Sequence, residues 1–197
     1  KGVSAILLAA VDSEVMKQPI VDSNAKGVPV FGFDIGAPGT ETVWLASGFE
    51  PATSGRRIAE KVSEEIGNKG KVAVITGTLG SPYLKLRQDN MERVFNSYPD
   101  IEIIGRYAND NDMEKALTQC ESILQAHADL AGFCSTVTTT APMAVQALVN
   151  AGKQGKVSVG STAMPAMNAE YVKKGWANAL LTLDPAAMTG LGVYIAY

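Results

Sequence analysis

Apolar runs of strand length recur along the chain at 4–10, 28–33, 43–47, 71–76, 101–107, 131–136, 156–161 and 177–183, mostly separated by stretches of helix length. That alternation predicts βαβ units and a mostly parallel sheet. The first run, SAILLAA (Ser4 to Ala10), reads as a fully buried strand leading through Val11 into a helix cap at Asp12-Ser13-Glu14. The second, VPVFGF (Val28 to Phe33), ends on Asp34. Strands with polar tips build an open α/β sheet, whose ligands sit outside the strand carboxyl ends.

The clearest helix is predicted over Met113 to Ala126, with Met113, Ala116, Leu117, Cys120, Ile123 and Leu124 on one stripe behind a cap at Asn111 or Asp112. A helix over about Ala52 to Ile66 turns Ile58, Ala59, Val62 and Ile66 inward and stops at Gly67, where a left-handed residue costs glycine little. The next, about Tyr83 to Ser97, places Leu84, Met91, Val94, Phe95 and Tyr98 inward and ends before Pro99. Shorter helices at about Pro142 to Ala151 and Pro165 to Lys174 each carry proline near the first turn, where its missing N–H is not needed.

Composition narrows the class. The 197 residues are 46% hydrophobic and 7% aromatic, which suits one sizeable core or two small lobes. Seventeen basic against twenty acidic residues give a net charge of −3, and no basic run exceeds the pairs Arg56-Arg57 and Lys173-Lys174, so nucleic acid is not an expected partner. No apolar run approaches the roughly 18 residues of a membrane span. Cys120 and Cys134 make no metal spacing with the lone His127 and read as small buried hydrophobes, while His127 belongs to a helix terminus. Gly77-Thr78-Leu79-Gly80-Ser81 has the position of a phosphate loop but lacks the Lys-Ser/Thr of a P-loop and the third glycine of a dinucleotide fingerprint. Trp44, inside a strand, and Trp176, beside a turn, read as core or rim packing, with sugar stacking as the alternative. The strand ends collect Thr, Asp and Arg without a nucleophile–base pair or metal cluster, so no catalytic residue, metal or cofactor is expected.

Four strings in this order, Ala9 to Asp34, Gly70 to Phe95 (GKVAVITGTLGSPYLKLRQDNMERVF), Asp110 to Phe133 and Ala141 to Thr162, resemble the type I periplasmic binding proteins. This sugar-binding family also supplies the effector domains of lactose-repressor-type regulators. SGFEPATSG (Ser47 to Gly55), MPAMNAEYVKKG (Met164 to Gly175) and LTLDPAAMTG (Leu181 to Gly190) are most similar to its autoinducer-2-binding and rhamnose-binding branch. The resemblance implies two doubly wound parallel-sheet lobes joined by a hinge. On that plan the chain is a fragment starting at about the fourth strand of the amino-terminal lobe. Residues 49–183 form a complete carboxy-terminal lobe, and 1–47 with 185–197 an incomplete amino-terminal one with a bared apolar sheet edge. The implied function is that of the solute-binding component of an ABC-type importer. It would close over a small sugar or autoinducer-like ligand and engage a membrane permease, in the periplasm or lipid-anchored outside a single-membrane bacterium. The alternative is the ligand-sensing domain of a transcription regulator or membrane receptor.

A planar carboxylate or guanidinium grips vicinal hydroxyls with two hydrogen bonds at once, and charged partners make such bonds about twice as strong. Asp34 stands where the resemblance implies a hydroxyl-gripping Asp, the alternative being a plain turn Asp before Gly36 and Pro38. Arg87 matches the family's sugar-binding Arg, the alternative being a solvated helix arginine. Asp184 either touches ligand or caps the helix begun by Pro185. The chain departs from the family where Thr136 to Thr140 and Ser161-Thr162 replace Asn or Asp, and where Ile35 replaces a polar residue. Thr138 and Thr162 then become the neutral contacts. The threonine run has an equal alternative as a strand-to-helix turn satisfying free N–H groups near Pro142. A site with part of its walls missing loses most of the burial that holds a solute. This 197-residue chain alone is therefore expected to bind a free sugar no better than about millimolar by calorimetry; micromolar binding by its monomer would contradict this.

Overall fold

The computed structural model describes residues 2–10, 12–32, 37, 39–40, 43–44, 50–163 and 165–182. They fall into two compact units, one drawn from Lys1–Glu50 and a larger one spanning Pro51–Thr182.

In the smaller unit β1 (Ile6–Leu8), α1 (Ser13–Ala25), β2 (Val30–Gly32) and β3 (Val43–Trp44) follow in chain order. The strands pair in parallel in the order β1-β2-β3. Asp12 is extended and caps α1, its carboxylate accepting from the N–H groups of Glu14 (3.1 Å) and Val15 (3.2 Å). Ala10, Ile20, Val30 and Ala37 make a small core, joined by Ile6, Leu8 and Met16. The expectation of a fully buried first strand needs correcting. Ile6, Leu7 and Leu8 are only half-buried, and among the described residues β1 pairs with β2 on one flank, as the expected bared sheet edge would leave it.

The larger unit contains α2 (Pro51–Glu65), β4 (Gly70–Thr76), α3 (Pro82–Phe95), β5 (Ile101–Ala108), α4 (Met113–Ala126), β6 (Leu130–Ser135), α5 (Thr140–Asn150), β7 (Ser158–Ala163), α6 (Pro165–Lys173) and β8 (Ala179–Thr182). Its five strands run β5-β4-β6-β7-β8, every neighbouring pair parallel. The alternating pattern read from the sequence thus yields the α/β architecture expected of it. β4 explains why these strands read as continuous apolar runs. Val72 and Val74 pack with Ile58, Ala59 and Val62 of α2 and Met91 and Phe95 of α3. Ala73 and Ile75 join the cluster of Cys120 and Ile123 on α4 and Ala144, Val145 and Leu148 on α5. Successive residues point to opposite faces, so a strand covered by helices on both sides needs every position apolar. Each such buried Val, Ile, Leu, Phe or Met side chain contributes about 1.5–3 kcal/mol.

Helix ends follow local chemistry. Asp112 caps α4 by accepting from the Lys115 N–H (2.8 Å), and His127 closes its other end, its N–H bonded to the Ile123 carbonyl (2.9 Å). Gly67 adopts φ +68° just past α2, the left-handed cap expected there. Trp176 stacks on Tyr171 at 6.4 Å between ring centroids, with Lys174 Nζ 4.8 Å from its ring, so it packs at the rim of the core. Arg106 on edge strand β5 makes a two-pronged bond to Glu92 of α3, both contacts 2.8 Å. Burial alone would push the Glu92 carboxyl up, but the Arg106 and Gln88 hydrogen bonds hold it below the usual range.

Two glycines let layers approach closely. A Cβ on Gly160 of β7 would run into Val62 of α2, and one on Gly55 of α2 would run into the main-chain carbonyl of Arg87 on α3. Alanine normally improves a helix interior by about 1 kcal/mol over glycine. Here Gly55→Ala is expected instead to destabilise by about 1–3 kcal/mol, the range for overpacking, read as a lower urea midpoint; an unchanged midpoint would mean the helices part without cost.

Candidate functional site

The chain leaves β4 toward β5 on one side of the sheet and leaves β6 toward β7 on the other, although β4 and β6 are neighbours. Their carboxyl ends therefore form a topological switch point, where the connections diverge and a crevice opens. Thr76 ends β4, and Thr136 follows the last residue of β6. Their hydroxyls are hydrogen-bonded at 2.9 Å, both residues buried.

Beyond β6 the backbone turns toward α5 while still buried, so its polar groups need partners other than a neighbouring strand. The Thr136 N–H bonds the Ile75 carbonyl (3.0 Å). The Thr136 carbonyl accepts from Arg87 Nη1 (2.5 Å) and stands 3.5 Å from Thr162 Oγ1. The Val137 carbonyl accepts from Ser161 Oγ at the end of β7 (2.7 Å), and the Val137 N–H donates to Ser135 Oγ (3.2 Å). Ser135 Oγ in turn donates to Thr140 Oγ1 (2.7 Å), which also accepts from the Asn109 amide beyond β5 (3.0 Å). Four strand ends are thereby joined by neutral hydroxyl and amide groups.

Arg87 is the charged member. It lies in the middle of α3, 5% exposed, with Nε donating to Ser54 Oγ of α2 (2.9 Å) and Nη2 to the Tyr83 hydroxyl (3.1 Å) one turn earlier. Its guanidinium carbon lies 4.9 Å from the Tyr83 ring centroid. The reading of Arg87 as a solvated helix arginine is thus overturned: it is buried and ties α2, α3 and the end of β6 together.

The other expected contacts divide. Thr162 is 5% exposed at the end of β7, turned toward the Thr136 carbonyl. Thr138 is half-exposed in the β6–α5 turn. Asp34 and Asp184, like Ile35, lie outside the described residues. The threonine run does not cap α5 through a side chain. Thr139 occupies the cap position in helical geometry, φ −67° and ψ −26°, and makes no side-chain cap bond, since an extended cap residue is what brings a hydroxyl to the first-turn N–H groups. In the Gly77 to Ser81 loop, Ser81 caps α3 by accepting from the Leu84 N–H (3.4 Å), and Thr78 accepts from the Asn111 amide (3.3 Å). A concavity of about 180 Å3 beside it is lined by Thr76, Thr78, Leu79, Lys85 and Gln88.

Ser135, Asn109 and Asn168 were not marked by the sequence reading, and Ser161 was marked only as a departure from the family's Asp. Their signal was a polar residue at the final position of a run buried on both faces, or on the inward stripe of a helix. Among the described residues no cluster of three His, Cys, Asp or Glu could hold a metal ion. Burial pushes the Cys120 thiol up to about 12, with the Glu121 charge adding to it, and raises Cys134 as well. Neither thiol is a nucleophile at neutral pH.

The periplasmic binding protein domain family matches residues 1–197. The ribose import binding protein RbsB of Bacillus subtilis is 26% identical over 153 residues, 78% of this chain and 49% of that protein. A periplasmic solute-binding protein of an Actinobacillus succinogenes ABC transporter, solved with bound D-allose, is 27% identical with a TM-score of 0.88, covering 98% of this chain and 71% of its own. LsrB from Clostridium saccharobutylicum, solved with AI-2, has the same fold at a TM-score of 0.88 and 23% identity, over 100% of this chain and 64% of its own. This chain spans about half the length of the curated relatives it matches.

Hydrogen bonds to a charged group each contribute about 1.5–3 kcal/mol, so Arg87→Ala is expected to destabilise the larger unit by about 2–3 kcal/mol in urea titration. Arg87→Lys should recover little, because an ammonium cannot serve three separated acceptors in one plane. Wild-type stability in both variants would mean that Arg87 does not hold the β6–α5 turn.

Proposed function

This chain belongs to the periplasmic binding protein family, and from that premise we propose that it serves as the solute-binding component of an ABC-type importer, taking a small neutral sugar or polyol between two lobes. The observation that carries the reading is the switch point between β4 and β6. There the strand ends carry hydroxyls and amides, α3 adds one buried guanidinium, and the thiols of the unit are held protonated by burial. Such groups donate and accept hydrogen bonds reversibly and offer a solute nothing to react with. The relatives with sugars or polyols in their names support the solute class.

The contacts we propose are Asp34, Arg87, Thr138, Thr162 and Asp184. Asp34 supplies the carboxylate that accepts from two vicinal hydroxyls, and Arg87 brings a planar donor set to the base of the site. Threonines at 138 and 162 provide neutral donors and acceptors, which suits a ligand without charge. Closure about the crossovers near 47–50 and 183–185 follows from a solute that contacts both lobes only when they meet, since a ligand shifts the equilibrium by no more than its preference for the closed state. The proposed partner is a membrane permease, and the proposed place is the periplasm or the outer face of a single-membrane cell.

Calorimetry of the full-length protein against a panel of aldopentoses, aldohexoses and pentitols tests this. At least one member should bind, and Asp34→Ala should weaken that binding at least about tenfold, because one charged hydrogen bond contributes at least about 1.5 kcal/mol. A panel with no binder overturns the reading, and undiminished affinity in Asp34→Ala removes Asp34 from the site.

A further inference from the structure

Asn168 stands out among the described residues. It is 1% exposed, and both atoms of its amide, Oδ1 and Nδ2, are enclosed without a hydrogen-bond partner. Buried amides are almost always bonded, and an exception asks for an explanation. The usual local one fails. An Asn that caps a helix stands at its threshold, whereas Asn168 lies inside the first turns of α6, three residues past Pro165. It shares the inward stripe of α6 with Tyr171, which packs on the core of α5 and β7. A residue of similar shape without polar atoms would serve that packing better.

Its place in the fold gives the amide a purpose. α6 springs from the carboxyl end of β7, directly after Ser161 and Thr162, and packs against α5, which springs from the neighbouring β6. At the head of α5 stands a second enclosed and unpartnered oxygen, Thr139 Oγ1, whose helical backbone keeps it from capping. An unused polar group thus stands at the first turns of each of two adjacent helices, on the sheet end where ligands bind in open α/β folds.

We propose that Asn168 is a solute contact of the larger unit, its amide receiving two neighbouring hydroxyls of a neutral polyol. This rests on the solute-binding reading and deepens it. One hydroxyl donates to Oδ1 while the next accepts from Nδ2, the complement of a vicinal diol. A carboxylate or phosphate leaves Oδ1 facing another acceptor and is disfavoured. The unpaired amide lowers the stability of the empty protein in exchange for recognition, a trade typical of functional positions.

The test uses the full-length wild type, Asn168→Leu and Asn168→Ala, with D-ribose, D-allose and xylitol as probes, followed by thermal denaturation without solute and by calorimetry. Leucine keeps the volume and removes the amide. Asn168→Leu is expected to melt at the same or a higher temperature than the empty wild type, while both variants bind the probe that the wild type binds at least tenfold more weakly. If the wild type binds a probe and Asn168→Leu binds it equally well with a lowered melting temperature, the amide serves an internal structural contact and the proposal falls while the function stands. If the wild type binds no probe, the sugar-binding reading falls and this role with it. Failure of both variants to fold would likewise assign the amide to structure and overturn the proposal.

Discussion

The turn from β6 into α5 leaves the sheet before it leaves the interior, and the organisation of the larger unit depends on how its two buried carbonyls are satisfied. Thr136 and Val137 have no strand beyond them to accept from, so the donors come from side chains on two other elements: Arg87 on α3, and Ser161 and more distantly Thr162 on β7. Leaving such carbonyls unmet costs about 1–3 kcal/mol each. The requirement fixes where α3 lies relative to β6. Through Ser54 it also fixes α2, whose Gly55 allows the Arg87 backbone to come close.

The same constraint decides the chemical character of the switch point. Donors and acceptors needed to finish the backbone are hydroxyls, an amide and a guanidinium, all of them buried, so the base of the switch point is built of hydrogen-bonding groups that are neutral but for Arg87. The charged pairs elsewhere in the unit lie on its outside, for example Arg56 with Glu60 and Lys85 with Asp89. Exposed pairs of this kind contribute about 0.3–0.5 kcal/mol each. On the function proposed above, a site of this composition would discriminate by counting and placing hydroxyls, the recognition problem a small polyol presents.

The framework was legible in the order of residues. Runs such as Val72 to Ile75 and Ala131 to Cys134 are without polar side chains at consecutive positions because helices cover both faces, and Met113 to Ala126 carries its stripe at helical spacing behind Asp112. The apolar composition of Ile6 to Leu8 would suit an edge strand or a central one alike, and their half-burial agrees with the bared sheet edge that the family plan led us to expect. The Tyr171 and Trp176 pairing sits between these cases: the sequence marked Trp176 as rim packing, and the fold supplied the partner.

Arg87 shows where local reading stops. Its neighbours in sequence, Leu86 and Gln88, place it on a helix, and nothing in that context separates a solvated guanidinium from a buried one. Its partners Ser54 and Thr136 are 33 and 49 residues away. Asn168 is the same case in reverse: a polar residue within PAMNAEYVK reads as an ordinary helix position, and only the packing of α6 encloses its amide. The sequence by itself determined the elements, their caps and the parallel order of the strands, since periodicity, capping and crossover handedness act over a few residues or one βαβ unit. Which polar side chains are buried, which carbonyls they complete and which are left unpaired was decided only by the tertiary structure, because burial and hydrogen-bond partnership belong to pairs of segments that meet only when the sheet is assembled.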